Sequence, residues 1–393
     1  MAEMDANLRV LSRLDLVSML EHAMREPGFA RTLRGPESDA DSTVVKTYIV
    51  EAAIPDGATQ TQANDFALSL FQTRKRQLSV DATLYESDDA ELFTIQGHSG
   101  KRSLTAYLDV SNPRFWLLHS MSSSQALGPF VSAMFSAGTE LDRAWMPSQL
   151  LEKLSSIGPL RGLGLAYDRR VLRDVDFDTP EAPIEVLRMQ FWGSSARQVL
   201  GALRAQDSLP NATTLSKIRI RVDGDGGDRS NLQDVKYDGK ITARGGSFST
   251  HLGLVNHIVD VYSTAIRKVE ARYPLRMVLN EGTPTLQGEP LNFLFAKPIK
   301  HLDLFCSGLF SAREPFRLWG VPVVRNSRFY TVEAIDLHVG SNMRFELTPE
   351  YMRVYLPTDA CGNTIIRLYT NLQHHYDALI KAEDGDGRSV FEF

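Results

Sequence analysis

The sequence predicts an α+β protein built from tandem antiparallel sheets, each backed by helices. Short runs of alternating apolar and polar residues recur along the chain, with turn signals such as Asp238-Gly239 between them. The element order β-α-β-β-β-α can be read three times, near residues 43–137, 184–272 and 291–383. Because the strands follow one another between helices rather than alternating with them, the order favours the α+β class.

The first segment follows a short helix over residues 8–25 and a polar linker that ends at residue 42. It begins with a strand at 44–54 and a helix at 61–76, whose apolar residues recur at helical spacing. Four strands and a closing helix complete it: 79–86, 91–97, 103–110, 114–121 and the helix 124–136. Thr83, Tyr85, Thr105 and Tyr107 give its sheet a neutral outward face.

The other two segments repeat this plan after a connector over residues 139–183. The connector is predicted to hold a helix at 148–156 and a strand at 162–171. The middle segment reads as strand 184–192, helix 195–206, strands 216–222, 232–237 and 240–244, and helix 249–272. The third reads as strand 291–297, helix 300–312, strands 321–325, 329–339, 342–347 and 351–356, and helix 363–383. The predicted domains are therefore residues 1–42, 43–138, 139–183, 184–275 and 276–393.

The order β-α-β₄-α resembles the TATA-box-binding-protein-like, or helix-grip, family of folds. The resemblance lies in the topology and is carried by no shared motif. It implies a curved sheet with helices packed on one face and a second face that grips DNA, a ligand or a partner. Since one fold hosts many functions, the resemblance directs attention to the open sheet face and no further.

Composition excludes several classes of protein. The chain has 43 Lys and Arg against 48 Asp and Glu, so its net charge of −5 argues against a surface that binds nucleic acid everywhere. No apolar stretch approaches the roughly 18–20 residues that a membrane helix needs, and no membrane contact is expected. Cys306 and Cys361 are the two cysteines, and neither has a partner at metal-ligand spacing. These features predict a cytoplasmic protein without cofactor or metal.

Positive charge is concentrated in the middle segment. Residues 183–275 carry 13 Lys and Arg against 9 Asp and Glu. In the strand at 216–222, Lys217, Arg219 and Arg221 alternate with apolar residues, and Lys240 and Arg244 alternate similarly nearby. Five cations on one sheet face predict a surface for an anion, with phosphate backbone the commonest such anion. The alternative is a solvated face on which neighbouring acidic residues balance the charge.

Other candidate chemistry is weaker. The acidic loop at 223–234 resembles a calcium loop in spacing but lacks its glycine, so it reads as a solvated connection. Asp336 and His338 alternate on a predicted strand, and a shared outward face there is a candidate hydrolytic site. Gly162-Leu163-Gly164 lacks the third glycine of a dinucleotide fingerprint and precedes no helix.

Arg143 and Trp145 are candidate partner contacts, because protein interfaces favour Trp and Arg. Core packing is the alternative explanation for this connector sequence.

These observations favour a non-catalytic binding protein that acts in a larger assembly, with a protein partner and with nucleic acid or another anion on the middle segment. Microbial genome defence is a compatible setting, although no residue points to it. The alternatives are a metal-dependent hydrolase, such as a phosphoesterase, and a pure protein–protein scaffold.

Overall fold

The computed structural model describes residues 12–34, 43–54, 57–73, 81–136, 140–172, 184–206, 209–224, 230–280 and 282–393. Within these residues the chain forms nine α-helices and nineteen strands, which confirms the predicted α+β class. The helices are α1 (Arg13–Arg25), α2 (Pro27–Arg34), α3 (Gln60–Thr73), α4 (Ser124–Ser136), α5 (Ser148–Leu154), α6 (Ala196–Arg204), α7 (Phe248–Arg272), α8 (Leu302–Leu309) and α9 (Gly362–His375). The predicted linker at 35–42 and the centre of the acidic loop lie outside the described residues.

The strands are short, and neighbouring strands pair in antiparallel orientation. They are β1 (Val45–Ala52), β2 (Asp81–Glu86), β3 (Leu92–Ser99), β4 (Arg102–Asp109), β5 (Phe115–Ser120), β6 (Leu141–Arg143), β7 (Leu160–Asp168), β8 (Val186–Trp192), β9 (Leu215–Asp223), β10 (Ser230–Lys236), β11 (Lys240–Gly245), β12 (Arg276–Asn280), β13 (Thr283–Gln287), β14 (Leu291–Leu294), β15 (Leu318–Asn326), β16 (Phe329–Asp336), β17 (Asn342–Leu347), β18 (Tyr351–Tyr355) and β19 (Lys381–Glu383).

The chain divides into two compact units that are discontinuous in sequence. The first unit comprises Met1–Ala144 and Arg219–Val259, and the second comprises Trp145–Ile218 and Asp260–Phe393. The division falls within β9, so each unit contains one half of that strand. The five domain boundaries read from the sequence stay predictions.

The first unit contains an antiparallel sheet whose strands run in the order β2-β3-β4-β5-β1-β11-β10, with β6 beside β1. Helices α3 and α4 pack on one sheet face and build a core around side chains such as Trp116, Phe130 and Leu118. On the other face, α1 contributes Leu16 and Leu20 to a second core. Burying each such side chain stabilises the fold by about 1.5–3 kcal/mol.

The second core corrects one expectation about the first segment. Tyr107 was expected on an outward sheet face, yet it is 1% exposed and belongs to the core beneath the N-terminal helices. Its hydroxyl lies 3.7 Å from the sulfur of Met19 on α1. Thr105 on the same face is also buried. The expectation was wrong because α1 covers this face, which a count of strand alternation does not include.

The second unit contains a six-stranded antiparallel sheet in the order β15-β16-β17-β18-β14-β19. In this sheet β15 to β18 are neighbours in sequence order, and β14, the first strand of the segment, lies beside β18. The first unit has the same arrangement, in which β2 to β5 are neighbours in sequence order and β1 lies beside β5. The middle segment does not share this order, because its first strand β8 pairs with the connector strand β7. Two of the three segments thus have a common strand order, and the resemblance to helix-grip folds stays a prediction.

Helix α9 is the central element of the second unit. All of its residues from Gly362 to His374 are buried, and several of them are polar. The guanidinium of Arg367 forms a buried ion pair with Asp336 and donates from Nε to the carbonyl of Phe316 at 3.0 Å. The hydroxyl of Thr364 donates to the other Asp336 oxygen at 2.6 Å. Arg367 and Thr364 can be buried on this helix because both find partners in Asp336 and nearby backbone.

Two local predictions differ from the structure. The last helix was predicted to continue to residue 383, but it ends at His375. Just beyond it, the Asp377 carboxylate accepts from the backbone N–H of Ala296 at 2.7 Å, and residues 381–383 then form β19. The hairpin of β12 and β13 was not predicted, and it leaves Leu279 77% exposed.

Candidate nucleic-acid interface

The predicted cations of β9 do alternate with buried apolar side chains. Ile218 and Ile220 are buried, whereas Lys217, Arg219 and Arg221 occupy the alternate positions. Lys217 belongs to the second unit, while Arg219, Arg221, Lys240 and Arg244 belong to the first. The five cations are therefore divided between the two units.

In the first unit, two of the predicted cations share one carboxylate. Arg219 donates to Asp234 from Nε at 2.5 Å and from Nη2 at 2.7 Å. Arg244 donates from Nη1 to the same carboxylate at 3.0 Å. The Asp234 side chain is 8% exposed, so these charge-assisted bonds are shielded from water. The cluster consequently keeps a single net positive charge, presented by Arg244, whose side chain is 46% exposed.

Asp234 ends the acidic run at 223–234, whose spacing resembles a calcium loop, and it also falls in the predicted strand at 232–237. The residue lies within strand β10 rather than in a loop. Its two oxygens are occupied by the arginines of the neighbouring strands, so it is a charge-balancing group of the sheet.

The remaining two cations of the first unit have different surroundings. Arg221 is half-exposed and donates to Asp223 at 2.9 Å, a pair that solvent screens. The ammonium of Lys240 lies 5.3 Å from the centre of the Tyr48 ring. Burial, followed by the charge of Lys236, lowers the pKa of Lys240, although Asp238 partly opposes this. Burial also raises the pKa of Tyr48.

In the second unit, Lys217 lies beside an exposed tryptophan. Its Nζ is 4.4 Å from the centre of the Trp192 ring, within the range of a cation–π contact. The same Nζ lies 3.5 Å from the side-chain oxygen of Gln190. Trp192 is 51% exposed, and Arg188 on the same face of β8 has a side chain that is 74% exposed. We call Arg188, Gln190, Trp192 and Lys217 the Trp192 surface.

Small residues form the floor of the Trp192 surface. In the register of β7 and β8, Gly162 pairs with Trp192 and Gly164 pairs with Gln190. A Cβ at Gly162 would lie 2.5 Å from Cε3 of Trp192 and 2.5 Å from the carbonyl oxygen of Phe191. Glycine is therefore needed for the indole to lie against the strand. This packing role explains Gly162 without a dinucleotide motif, and Gly164 instead lies beside Ser216 and Lys217.

The sequence contained a signal for this surface that its interpretation missed. Arg188, Gln190 and Trp192 stand at alternate positions of one strand, and each is exposed. Their proximity to Lys217 on β9, in contrast, is known only from the pairing of the strands in the structure.

The partner candidates Arg143 and Trp145 stand on either side of the sequence boundary at Ala144, Arg143 in the first unit and Trp145 in the second. The guanidinium of Arg143 lies 4.3 Å from the centre of the Phe135 ring. Trp145 is 3% exposed, and its backbone N–H donates to the hydroxyl of Tyr262 at 2.8 Å. A partner could contact little of a side chain so buried, and its role at an interface stays a prediction.

The proposed outward pair of Asp336 and His338 is wrong in its geometry. Both residues are buried, at 0% and 2% exposure, and Asp336 ends its strand on the face that meets α9. Burial alone would raise the pKa of Asp336, but Arg367, His338 and Thr364 together hold it below the usual range. The carboxylate is committed to an internal ion pair and does not face solvent.

A buried chain of hydrogen bonds links four polar side chains of the first unit. Nδ1 of His251 lies 2.8 Å from the side-chain oxygen of Gln233, and its Nε2 lies 2.7 Å from the hydroxyl of Thr47. The same hydroxyl lies 2.8 Å from Nδ1 of His119. With the Gln233 oxygen as acceptor, His251 carries its proton on Nδ1 and accepts from Thr47. Thr47 in turn accepts from His119.

Both histidines of this chain are held neutral. Burial lowers the pKa of His119 to about 4, although Asp109 partly opposes the shift. Burial, with a further effect of His119, lowers the pKa of His251 to about 3. This chain of hydrogen bonds is buried, so it stabilises the sheet and does not contact a ligand.

These features describe an α+β protein with helix-backed antiparallel sheets and an exposed tryptophan–lysine surface. The chain belongs to the MJECL33-like protein family, whose family model matches residues 4–391. It is 28% identical over 407 residues to "Uncharacterized protein MJECL33" of Methanocaldococcus jannaschii, which covers 94% of this chain and 93% of the relative. No solved structure matches the chain. Among the described residues, no helix is long and apolar enough to cross a membrane.

Proposed function

We propose that this protein is a non-catalytic nucleic-acid-binding protein and that unpaired bases stack on its Trp192 surface. The observation that carries the proposal is the half-exposed indole of Trp192 with the Lys217 ammonium 4.4 Å from its ring centre. Proteins that bind single strands combine aromatic stacking platforms with cations that follow the backbone. The Trp192 surface contains both groups on one sheet face.

Each component of the surface has a physical role in this proposal. A base stacked on Trp192 contributes about 1–3 kcal/mol. Lys217 and Arg188 neutralise neighbouring phosphates and release counterions. Gly162 lets the indole lie against the strand, so that the ring loses little freedom when a base binds.

In the first unit, Arg221, Lys240 and Arg244 are proposed as separate phosphate contacts. Arg244 is held in position by Asp234, and Arg219 takes most of that carboxylate's hydrogen bonds. We therefore assign Arg219 the smallest share of the predicted anion binding. The wider assembly, the protein partner and the cytoplasmic location stay predictions from the sequence.

The experiment is a fluorescence titration with unstructured single-stranded DNA and RNA oligonucleotides. Two tryptophans are buried and two are exposed, so Trp319, at 50% exposure, is a matched control for Trp192. Stacking should quench the fluorescence of the protein and of a Trp319→Phe variant. A Trp192→Phe variant should lose most of this quenching, and Trp192→Ala should weaken binding about 5- to 100-fold.

The charge component is tested by repeating the titration at increasing salt. Lys217→Glu should weaken binding and lower the salt slope by about 0.7 for the lost phosphate contact on a single strand. Equal binding by the Trp192→Ala variant would contradict the stacking role. Absence of binding at low salt would overturn the proposed function altogether.

A further inference from the structure

Two adjoining pockets lie between α5, β7 and α6 of the second unit. The outer pocket has a volume of about 680 Å³, and polar side chains contribute part of its lining. Its polar residues are Ser155, Ser156, Arg161, Ser194, Arg197 and Gln198. The inner pocket has a volume of about 220 Å³, and Ser155, Leu160 and Arg197 line both. The two pockets together form one crevice, with Arg161 and Arg197 at its mouth.

The inner pocket is apolar along most of its wall. Leu160, Leu163, Leu200, Leu215 and Ile218 line it. An apolar cavity of about 150 Å³ is large enough to take up benzene. A pocket of about 220 Å³ can therefore hold an aromatic ring or a short alkyl chain.

Arg197 is held at the junction of the two pockets. Its Nη2 donates to the hydroxyl oxygen of Ser155 at 2.9 Å, and that hydroxyl donates to the carbonyl of Glu152 at 2.6 Å. Among the residues that the structure describes, no carboxylate forms an ion pair with Arg197 or with Arg161. The guanidinium groups at the mouth thus keep their positive charge.

Arg204, which also lines the inner pocket, is electrically balanced. Arg204 donates from Nη2 to the Glu152 carboxylate at 2.5 Å. The crevice therefore has a cationic mouth and an apolar interior, and the charge of its third arginine, Arg204, is balanced by Glu152. This polarity matches a ligand with an anionic head and an apolar body.

We propose that this crevice binds a small organic anion with an aromatic ring or a short alkyl chain. Its carboxylate or phosphate group lies against Arg197 and Arg161, and its apolar body occupies the inner pocket. A guanidinium suits such a head group because it offers a planar fork of N–H donors. The site is distinct from the Trp192 surface in its residues and in its ligand.

Isothermal titration calorimetry of the full chain tests this with benzoate, acetate and benzyl alcohol as probes. Benzoate has both the anionic head and the ring, whereas each of the other probes lacks one of them. We expect benzoate to bind at least tenfold more tightly than either. Equal binding of benzyl alcohol would overturn the role of the arginines, and no saturable benzoate binding would overturn the site.

Two substitutions locate the ligand within the crevice. Arg197→Gln should weaken benzoate binding at least tenfold, whereas Arg276→Gln, at an exposed hairpin position, should leave it unchanged. Gly201 lines the inner pocket, and a Cβ there would meet no atom within 4 Å. Gly201→Met should fill part of the inner pocket and abolish binding, whereas Gly253→Met, on α7, should not.

Unchanged benzoate affinity in both pocket variants would place the ligand elsewhere and contradict the proposal. Both variants should retain wild-type quenching by oligonucleotides, since neither residue belongs to the Trp192 surface. This second measurement separates a failure of the crevice proposal from a failure of the nucleic-acid proposal. It also shows whether each variant is folded.

Discussion

The neutral histidine pair in the first unit predicts how the protein loses stability in acid. An unfolded histidine takes up a proton below its ordinary pKa of about 6.5. Folded His251 stays neutral down to about pH 3, and folded His119 down to about pH 4. Since the unfolded chain binds more protons in this window, the free energy of unfolding falls as the pH falls below 6.5.

The magnitude follows from the number of protons. Each histidine that protonates only on unfolding removes about 1.36 kcal/mol per pH unit. The His119 and His251 pair therefore removes about 2.7 kcal/mol per pH unit between pH 6.5 and 4. Over the 1.5 units from pH 6.5 to 5.0, His251 alone accounts for about 2 kcal/mol.

Replacement of His251 by Gln isolates this contribution. The variant should be less stable than the wild type at pH 7.5, because it loses ring packing and hydrogen bonds. This deficit in the free energy of unfolding, relative to the wild type, should narrow by about 2 kcal/mol between pH 7.5 and 5.0. It narrows because the wild type loses the His251 contribution in acid, whereas the variant has no histidine at this position. Urea unfolding followed by circular dichroism at a series of pH values measures the deficit.

Thr47→Val is the matched control. It removes a hydroxyl from the same hydrogen-bond chain but no titrating group, so its deficit should stay constant over the same pH range. A deficit of His251→Gln that is also constant with pH would refute the neutral-histidine argument. A deficit that widens in acid would show that folded His251 carries a proton.

Three further predictions concern ion pairs and packing. Arg367→Met should lower the free energy of unfolding by about 3–5 kcal/mol because it leaves Asp336 buried without its cation; a loss below about 1 kcal/mol in urea unfolding would contradict this. Gly162→Ala should lower the thermal midpoint by several degrees because its Cβ meets the neighbouring strand and ring at 2.5 Å, whereas Gly201→Ala, in open space on a helix, should raise it. Asp234→Asn should strengthen oligonucleotide binding at low salt several-fold because it frees guanidinium charge, and weaker binding there would count against the first unit's phosphate contacts.

Local patterns predicted most of the secondary structure. Helix α4 has the predicted bounds of residues 124–136, and strand β17 has the predicted bounds of 342–347. Alternation and turn signals act over a few residues, so the sequence reports them directly. The end of the last helix was missed because the apolar spacing continues through Tyr376 and Ile380, while the Asp377 carboxylate bonds to a distant backbone segment.

The candidate site was predicted only in part, for a physical reason. The alternation of Lys217, Arg219 and Arg221 was visible in the sequence, but their partners lie on other strands. Asp234 reaches Arg219 across 15 positions, and Trp192 reaches Lys217 from a strand separated from β9 by β7. Strand pairing decides which charges are balanced and which aromatic ring meets a cation. The residue pattern within one β-strand does not contain that information.

The central claim is that an unpaired base stacks on Trp192 beside Lys217. The most direct measurement is quenching of tryptophan fluorescence by a single-stranded oligonucleotide at low salt, compared between Trp192→Phe and Trp319→Phe. The claim predicts that Trp319→Phe is quenched as strongly as the wild type and that Trp192→Phe loses most of the quenching. Equal quenching of the two variants, or none in the wild type, would contradict it.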